Sequence, residues 1–428
     1  MRISTSMIYR RGVEWMNKHQ SSLAKTQEQI SSGNKILKPS DDPTSSARLM
    51  ELHKQLKLNE QYGRNITIAY GRQGVEEVAV TEADDILQRA RELTIQANNA
   101  ALTSENRQTI ALEVRQLRQQ MIDIANAKDS EGAYLFAGYK EQSQPFTSAA
   151  NGDVVYNGDQ GQRALQIGPA RQVAVGDAGD SVFMRIRNGN GQFRTDLASS
   201  NTGNGTISIG SVTNPSDFNN AFMGGKSPYT IEFTVEPPNT NPADPHPPEP
   251  IRKFTIKGAD GNIIEDPPGT TLSSQAYTDG ESIKFLGVEV TIEGKPENGD
   301  RFTVKPAENQ SIFKTLDNLI NALGNPDRSA ANVAVLTQGL DNTLTDIDQA
   351  LLNLNQVRGR VGSRMNALDA QDNVNQDFNL QLQSLQSEIG STDIAEAASR
   401  MSQELLALQA SQQSFMKIQG LSLFNYLK

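Results

Sequence analysis

The chain's three histidines, the side chains best suited to proton transfer near neutral pH, stand alone. His19, His53 and His246 are widely separated, with no serine–carboxylate partner or metal-ligand spacing around them. Triad-type nucleophilic catalysis and zinc chemistry therefore both lack their parts. No cysteine occurs, which removes thiolate nucleophiles, disulfides and cysteine-based metal sites together. Gly189-Asn190-Gly191 lacks the third glycine of a dinucleotide fingerprint, and neither a Gly-Lys-Ser/Thr phosphate loop nor an EF-hand loop is present. Asp41 and Asp42 look like an acid/base pair until Pro43 is read after them. Carboxylates beside a proline at a first helical position satisfy free helix amides and complement the helix dipole. This inventory predicts a non-enzyme with no cofactor and no metal, whose working sites are packing surfaces.

The elements that form those surfaces lie at the two ends. Fifteen of the 18 prolines and 20 of the 33 glycines fall between Pro145 and Pro306, so a breaker-rich centre is flanked by two arms that contain few of either. Met16, Leu23 and Ile30 recur at intervals of seven, a narrow apolar stripe on an otherwise polar helix spanning roughly residues 3–32. Gly33 suits the end of that helix, and Asp42-Pro43 suits the N-cap and first position of the next. That second, proline-free run continues to about Ala101, and Thr103-Ser104-Glu105 starts a third helix with Ile110, Val114, Leu117, Met121 and Ile124 on one face. The second arm mirrors the first. Ile312, Leu316, Leu319 and Leu323 predict a short helix ending near Gly324, and Leu336 through Leu368 trace one long stripe. Ser391-Thr392-Asp393 then recaps the chain for a last helix carrying Met401, Leu405, Leu408, Phe415 and Ile418. Gly71 and Gly74 on one long helix repeat the spacing of Gly359 and Gly362 on the other. A close helix crossing, a kink and tolerated surface glycines all fit that repetition.

The centre is different in kind. Tyr229–Val235, Lys253–Lys257, Gly287–Ile292 and Arg301–Val304 alternate with the period of two expected of half-buried strands in an antiparallel sheet. Pro237 to Pro250 holds seven prolines in fourteen residues, which reads as a stiff loop from a hairpin. Hydrophobic residues make up only 36% of the 428 and aromatics 6%, with Trp15 the single tryptophan. This is lean for one large globule and predicts an elongated shape or burial against other copies. The net charge of -10 argues against nucleic acid as a partner. Seven basic side chains in the first forty residues read as a solvated helix face rather than a membrane-binding one. No stretch has the length of a membrane span, and the start of the chain has no apolar block with a cleavage site. Export, if it occurs, is expected by a route other than the general signal peptide.

The residues also carry a resemblance. Met1-Arg-Ile-Ser-Thr-Ser-Met7, Ser32–Ile36 with Pro39-Ser-Asp-Asp-Pro43, Gln96-Ala-Asn98, Ile124-Ala-Asn126 and Tyr134-Leu-Phe-Ala-Gly138 resemble the N-terminal arm of the bacterial flagellin superfamily. Asp393-Ile-Ala395, Leu408-Gln-Ala410 and Leu421–Leu427 resemble its C-terminal arm. The opening Met-Arg-Ile-Ser-Thr and closing Ser-Leu-Phe-Asn-Tyr-Leu are more similar to its hook–filament junction branch than to flagellin.

That resemblance implies a mainly α fold with an inserted β domain: terminal helices paired as a coiled coil, a long antiparallel helical bundle and a central antiparallel sheet. The expected domains are 1–42 with 390–428, 43–184 with 307–389, and 185–306 projecting into solvent. It implies a secreted structural adaptor that leaves by type III export with a chaperone. Assembled as a ring of its own copies, it would join the hook, through the proximal junction protein, to flagellin, with no nucleic acid or membrane as partner. Met16, Leu23, Ile30, Met401, Leu405, Leu408, Phe415 and Ile418 are the expected subunit-packing residues, and Gly33, Asp41, Asp42 and Pro43 the turn and cap. Ordering the two terminal segments costs more conformational entropy than their few large apolar side chains return. Residues 1–39 and 393–428 are therefore expected to order only against neighbouring copies. Two alternatives stay open at this stage: a flagellin-type filament subunit, and a secreted carbohydrate-binding or hydrolytic protein whose activity would reside in 185–306.

Overall fold

The structure, a computed structural model, describes residues 5–99, 101–222, 225–237, 249–324 and 329–424. Its helices are α1 (Thr5–Ser32), α2 (Pro43–Ala97), α3 (Ser104–Ala125), α4 (Pro215–Phe222), α5 (Ile312–Leu323), α6 (Ala330–Gly390) and α7 (Ile394–Phe424). Short strands and two larger sheets lie between α3 and α5, so the fold is mainly α with an inserted antiparallel β domain.

Helix boundaries follow local chemistry. Thr103 caps α3 by accepting the Asn106 N–H, and Ser311 caps α5 by accepting the Lys314 N–H at 3.0 Å. Gly324 closes α5, as the sequence predicts. The second helix stops at Ala97 rather than near Ala101. The Asn99 side chain accepts the Ala101 N–H at 3.0 Å, a local turn that competes with helical bonding. At Gly71, Gly74, Gly359 and Gly362 an added Cβ would meet nothing within 4 Å. The close-crossing reading therefore fails there, and all four glycines lie inside unbroken helices facing open space.

The chain forms two compact units. One comprises residues 1–67, 166–171 and 369–428, the other 68–165 and 172–368. In the first, α2 and α6 run antiparallel: Leu52 and Leu56 pack with Leu382, and Asn59 Nδ2 donates to the Asn375 carbonyl at 2.6 Å. In the second, Leu340, Ile347, Leu354, Val361 and Leu368 of α6 are all at most 1% exposed, so a stripe that repeats every seven residues faces the core. It packs with Val80, Leu87 and Leu93 of α2, with α3 and α5, and with a group of phenylalanines. Phe136 and Phe183 meet edge-to-face at 5.0 Å, a favourable aromatic geometry.

The inserted domain in this second unit contains a five-stranded antiparallel sheet in the order Gln275–Ala276, Ile251–Lys257, Tyr229–Glu236, Arg301–Pro306, Phe193–Leu197. Register places Phe254 opposite Phe233 and Ile256 opposite Ile231, which lines one face with large apolar groups. A second sheet orders Ser282–Phe285, Val288–Glu293 and Thr206–Ile207. Both sheets contribute to one core with Phe218 and Phe222 of α4. The alternating runs read from sequence are strands, whereas Phe193–Leu197 and α4 were not foreseen. Polar Thr195 at a buried position masks the alternation in the former, and the latter has only 8 residues.

Candidate assembly surface

The chemistry of the terminal helices begins at the turns leading into them. Gly33 has φ +71°, the left-handed conformation that ends α1 without strain. Its carbonyl accepts the Thr392 N–H at 2.9 Å, and Lys35 N–H donates to the Gly390 carbonyl at 2.8 Å, so the turn after α1 is bonded to the turn before α7. Asp42 Oδ1 accepts the Ser45 N–H at 3.1 Å at the start of α2, with Pro43 as the first helical residue. Asp41 serves the turn instead, accepting from Lys25 Nζ at 2.7 Å and from the Lys38 N–H at 3.1 Å. The Lys25 hydrogen bond holds the Asp41 carboxyl below its ordinary range, and bonding to Ser45 does the same for Asp42. Asp393 Oδ1 then accepts the Ala395 and Glu396 N–H groups and caps α7.

From these turns α1 and α7 run back along each other, antiparallel. Tyr9 and Phe415 rings meet at 4.8 Å, and the Phe415 ring lies 3.0 Å from where a Gly12 Cβ would stand. Farther along, Ser22 and Thr26 donate to the two oxygens of Glu404 at 2.5 and 3.1 Å. Thr26, Gln29 and Ala397 are buried. The seam between the helices is thus small and polar over much of its length. Of the apolar side chains singled out by the heptad reading, Met16, Leu23, Ile30, Met401, Leu408 and Phe415 are half-buried and Leu405 is exposed. The side chain of Ile418 lies outside the described residues. Phe415 of this set is brought against Tyr9 and Gly12 across the seam.

Gly12, Ser22, Thr26 and Glu404 were missed by a search for large apolar residues. The signal that carries Glu404 is the spacing of Ala397, Glu404 and Ser411 at intervals of seven, legible only once small and polar residues are admitted to a heptad. Trp15, Leu405, Leu406 and Met416 remain 55%, 41%, 68% and 62% exposed. Tyr9, Gly12, Trp15 and Phe415, with α7 residues Ala410, Ser411 and Ser414, line a groove of about 300 Å³. Thr5–Ser32 and Ile394–Phe424 are helical in the single chain, where the entropy argument expects order only among neighbours. Pairing with each other supplies part of the burial that argument assigned wholly to other copies, and leaves the rest undone. Among the described residues no helix is long and apolar enough to cross a membrane, and no group of three or more acidic or histidine side chains is placed to hold a metal ion.

A buried polar cluster lies where the sheet domain meets α6. Asp346, 2% exposed, accepts the Gly189 N–H at 2.8 Å, Arg194 Nη1 at 2.9 Å and Gln310 Nε2 at 2.9 Å. Burial pushes its carboxyl upward, opposed by Arg194. The Gly189-Asn190-Gly191 run rejected as a nucleotide motif is the turn that presents this amide. Neither Asp346 nor Arg194 stands out in the sequence, because their pairing spans about 150 residues of chain.

Comparison with known proteins gives these features their context. Residues 3–141 match the bacterial flagellin N-terminal helical region and residues 344–427 the bacterial flagellin C-terminal helical region. The flagellar hook-associated protein 3 of Salmonella typhimurium is 32% identical over 186 residues, covering 44% of this chain and 58% of that protein. The Escherichia coli protein of the same name aligns over the full length of both chains at 23% identity. The crystal structure of the flagellar junction protein FlgL from Legionella pneumophila superposes with a TM-score of 0.68 at 34% identity, covering 81% of this chain and all of that one. With flagellin helical regions at its ends and junction proteins matching its length, the chain belongs to the flagellar hook-associated protein 3 family of the bacterial flagellin superfamily.

Proposed function

We propose that this protein is the structural adaptor at the hook–filament junction of a bacterial flagellum. It binds the proximal junction protein on one side and flagellin on the other, and closes into a ring of its own copies. The observation that carries the reading is the unfinished surface of the α1/α7 pair, where Trp15, Leu406 and Met416 stand more than half exposed beside an aromatic groove. Large apolar groups in such numbers on a helix pair mark an interface. Neighbouring copies covering them would complete the burial that one chain leaves open. In this reading residues 1–42 with 390–428 form the assembling coiled coil, 43–184 with 307–389 the helical bundle, and 185–306 the projecting sheet domain. The chain reaches the junction by type III export, escorted by a chaperone, and acts outside the cell without enzymatic activity. The names of its relatives as hook-associated and junction proteins support the adaptor over a filament subunit. Deleting the gene in a motile host should leave hooks intact while flagellin is lost to the medium. Normal filaments on the deletion strain would overturn the reading.

A further inference from the structure

Glu76 lies on the buried side of α2, 1% exposed, and its two carboxyl oxygens are treated differently. Oε1 accepts the Asp177 backbone N–H at 3.0 Å, while Oε2 has no hydrogen-bond partner among the described residues. The charged groups that face it are Asp177 from the adjoining loop and Arg360 and Arg364 from α6. Both arginines are already engaged by the Asp177 carboxylate. Arg364 approaches it through two nitrogens at 2.8 and 3.2 Å, Arg360 stands at 3.7 Å, and Gln162 Nε2 donates to it at 2.6 Å. On α2 itself the nearby Arg72 is bonded to Asp129 at 3.0 Å. The cationic charge at this site therefore goes to Asp177, and Glu76 receives only a backbone amide.

One helical turn earlier, the fully buried Gln73 donates Nε2 to the Ala174 carbonyl at 3.1 Å and leaves its own Oε1 without a donor. Two orphan acceptors, Gln73 Oε1 and Glu76 Oε2, thus lie three residues apart on one buried helix face, a spacing that makes them neighbours. Unmet acceptors in such a site are costly, and an uncompensated charge is costlier. A single proton on Glu76 removes the charge and turns one orphan acceptor on this face into a donor.

We propose that Glu76 carries a proton in the folded protein in acidic solution and acts as a pH-sensitive latch, fastening the segment from Ala174 to Asp177 onto α2 there and releasing it as the pH rises past neutrality. Burial first, and then the charge of Asp177, raises the Glu76 carboxyl from its ordinary 4.5 to about 7. The folded state therefore binds a proton that the unfolded chain gives up. This stabilisation is complete below pH 4.5, declines as the pH rises, and is gone above about 7.

The test compares the full chain with Glu76→Gln, which keeps the donor and cannot ionise. Urea midpoints are measured from pH 5 to 8.5, together with amide exchange of residues 172–179 corrected for intrinsic rate, using α5 as control. The native protein should lose midpoint across this range, and exchange of 172–179 should accelerate relative to α5. E76Q should show a flatter profile and, at pH 8, a folding constant higher by up to about 300-fold, the factor a shift from 4.5 to about 7 implies. Infrared spectroscopy of the native protein at pH 6 should show a protonated-carboxyl band absent from E76Q, or bleaching at pH 8.5 should E76Q fail to fold. A native profile as flat as that of E76Q, or no such band in the native protein at pH 6, overturns the latch.

Discussion

Asp346 illustrates how much of this molecule rests on single buried polar groups. It joins a glycine turn, an arginine of the sheet and a glutamine before α5 to one helix. Removing one partner of a buried ion pair strands the other. Asp346→Ala is accordingly expected to lose about 3 kcal/mol in urea denaturation, and an unchanged midpoint would refute the anchoring role. Gly189 is the companion case: its φ is +57° and a Cβ there would approach the Phe193 carbonyl to 2.3 Å. Gly189→Ala should cost about 2 kcal/mol by the same assay, because both the left-handed backbone and the close approach exclude a side chain. Gly359 and Gly362 are opposite in sign. With open space around each, Gly359→Ala and Gly362→Ala should each raise stability by about 1 kcal/mol, the ordinary helical penalty of glycine.

At the scale of elements, the α1/α7 pair divides its residues between two tasks. The seam of Gly12, Ser22, Thr26, Ala397 and Glu404 lets the helices approach closely, while Trp15, Leu405, Leu406 and Met416 stand exposed to solvent. A double change of Leu405→Glu and Leu406→Glu should leave the unfolding midpoint of the single chain within about 0.5 kcal/mol of its native value. The same change should abolish self-association in sedimentation experiments at concentrations where the native protein assembles. Gly12→Leu tests the other task, because its side chain would have to displace the Phe415 ring, and it should reduce the helicity of the terminal segments. The long helices were legible in advance, since Leu340 through Leu368 repeat at a fixed interval and the buried side of α6 is that stripe. The seam was not, because a small or hydroxyl-bearing residue signals an interface only when its partner is known.

For the whole molecule, the two compact units differ in how much they bury. The second contains the phenylalanine-rich bundle core and the sheet-domain core, whereas among the described residues of the first a hydrophobic cluster comprises Leu52, Leu56 and Leu382 with Leu385 and Ile389 at its edge. Opening free energy follows buried apolar contact. Native-state hydrogen exchange should therefore find α1 and α7 amides opening at least about 100-fold more readily than those of α5, a gap of roughly 3 kcal/mol. Equal protection of both would remove the argument that the terminal pair is left unfinished for assembly.

The amino-acid sequence by itself determined the long helices of the two arms and where the breaker-rich centre begins and ends. Each of these depends on neighbours a few residues apart or on composition, and such information is local. It also determined the family, because the motifs at both ends are linear. The tertiary structure alone decided that Glu404 receives hydroxyls from α1, that Asp346 anchors the sheet domain, and that Glu76 is left without a cation while Asp177 takes two. Those outcomes depend on which groups meet across a hundred residues or more, and on how little water remains between them. Burial and long-range pairing set the protonation and energetics of a side chain, and neither is written in its immediate neighbours.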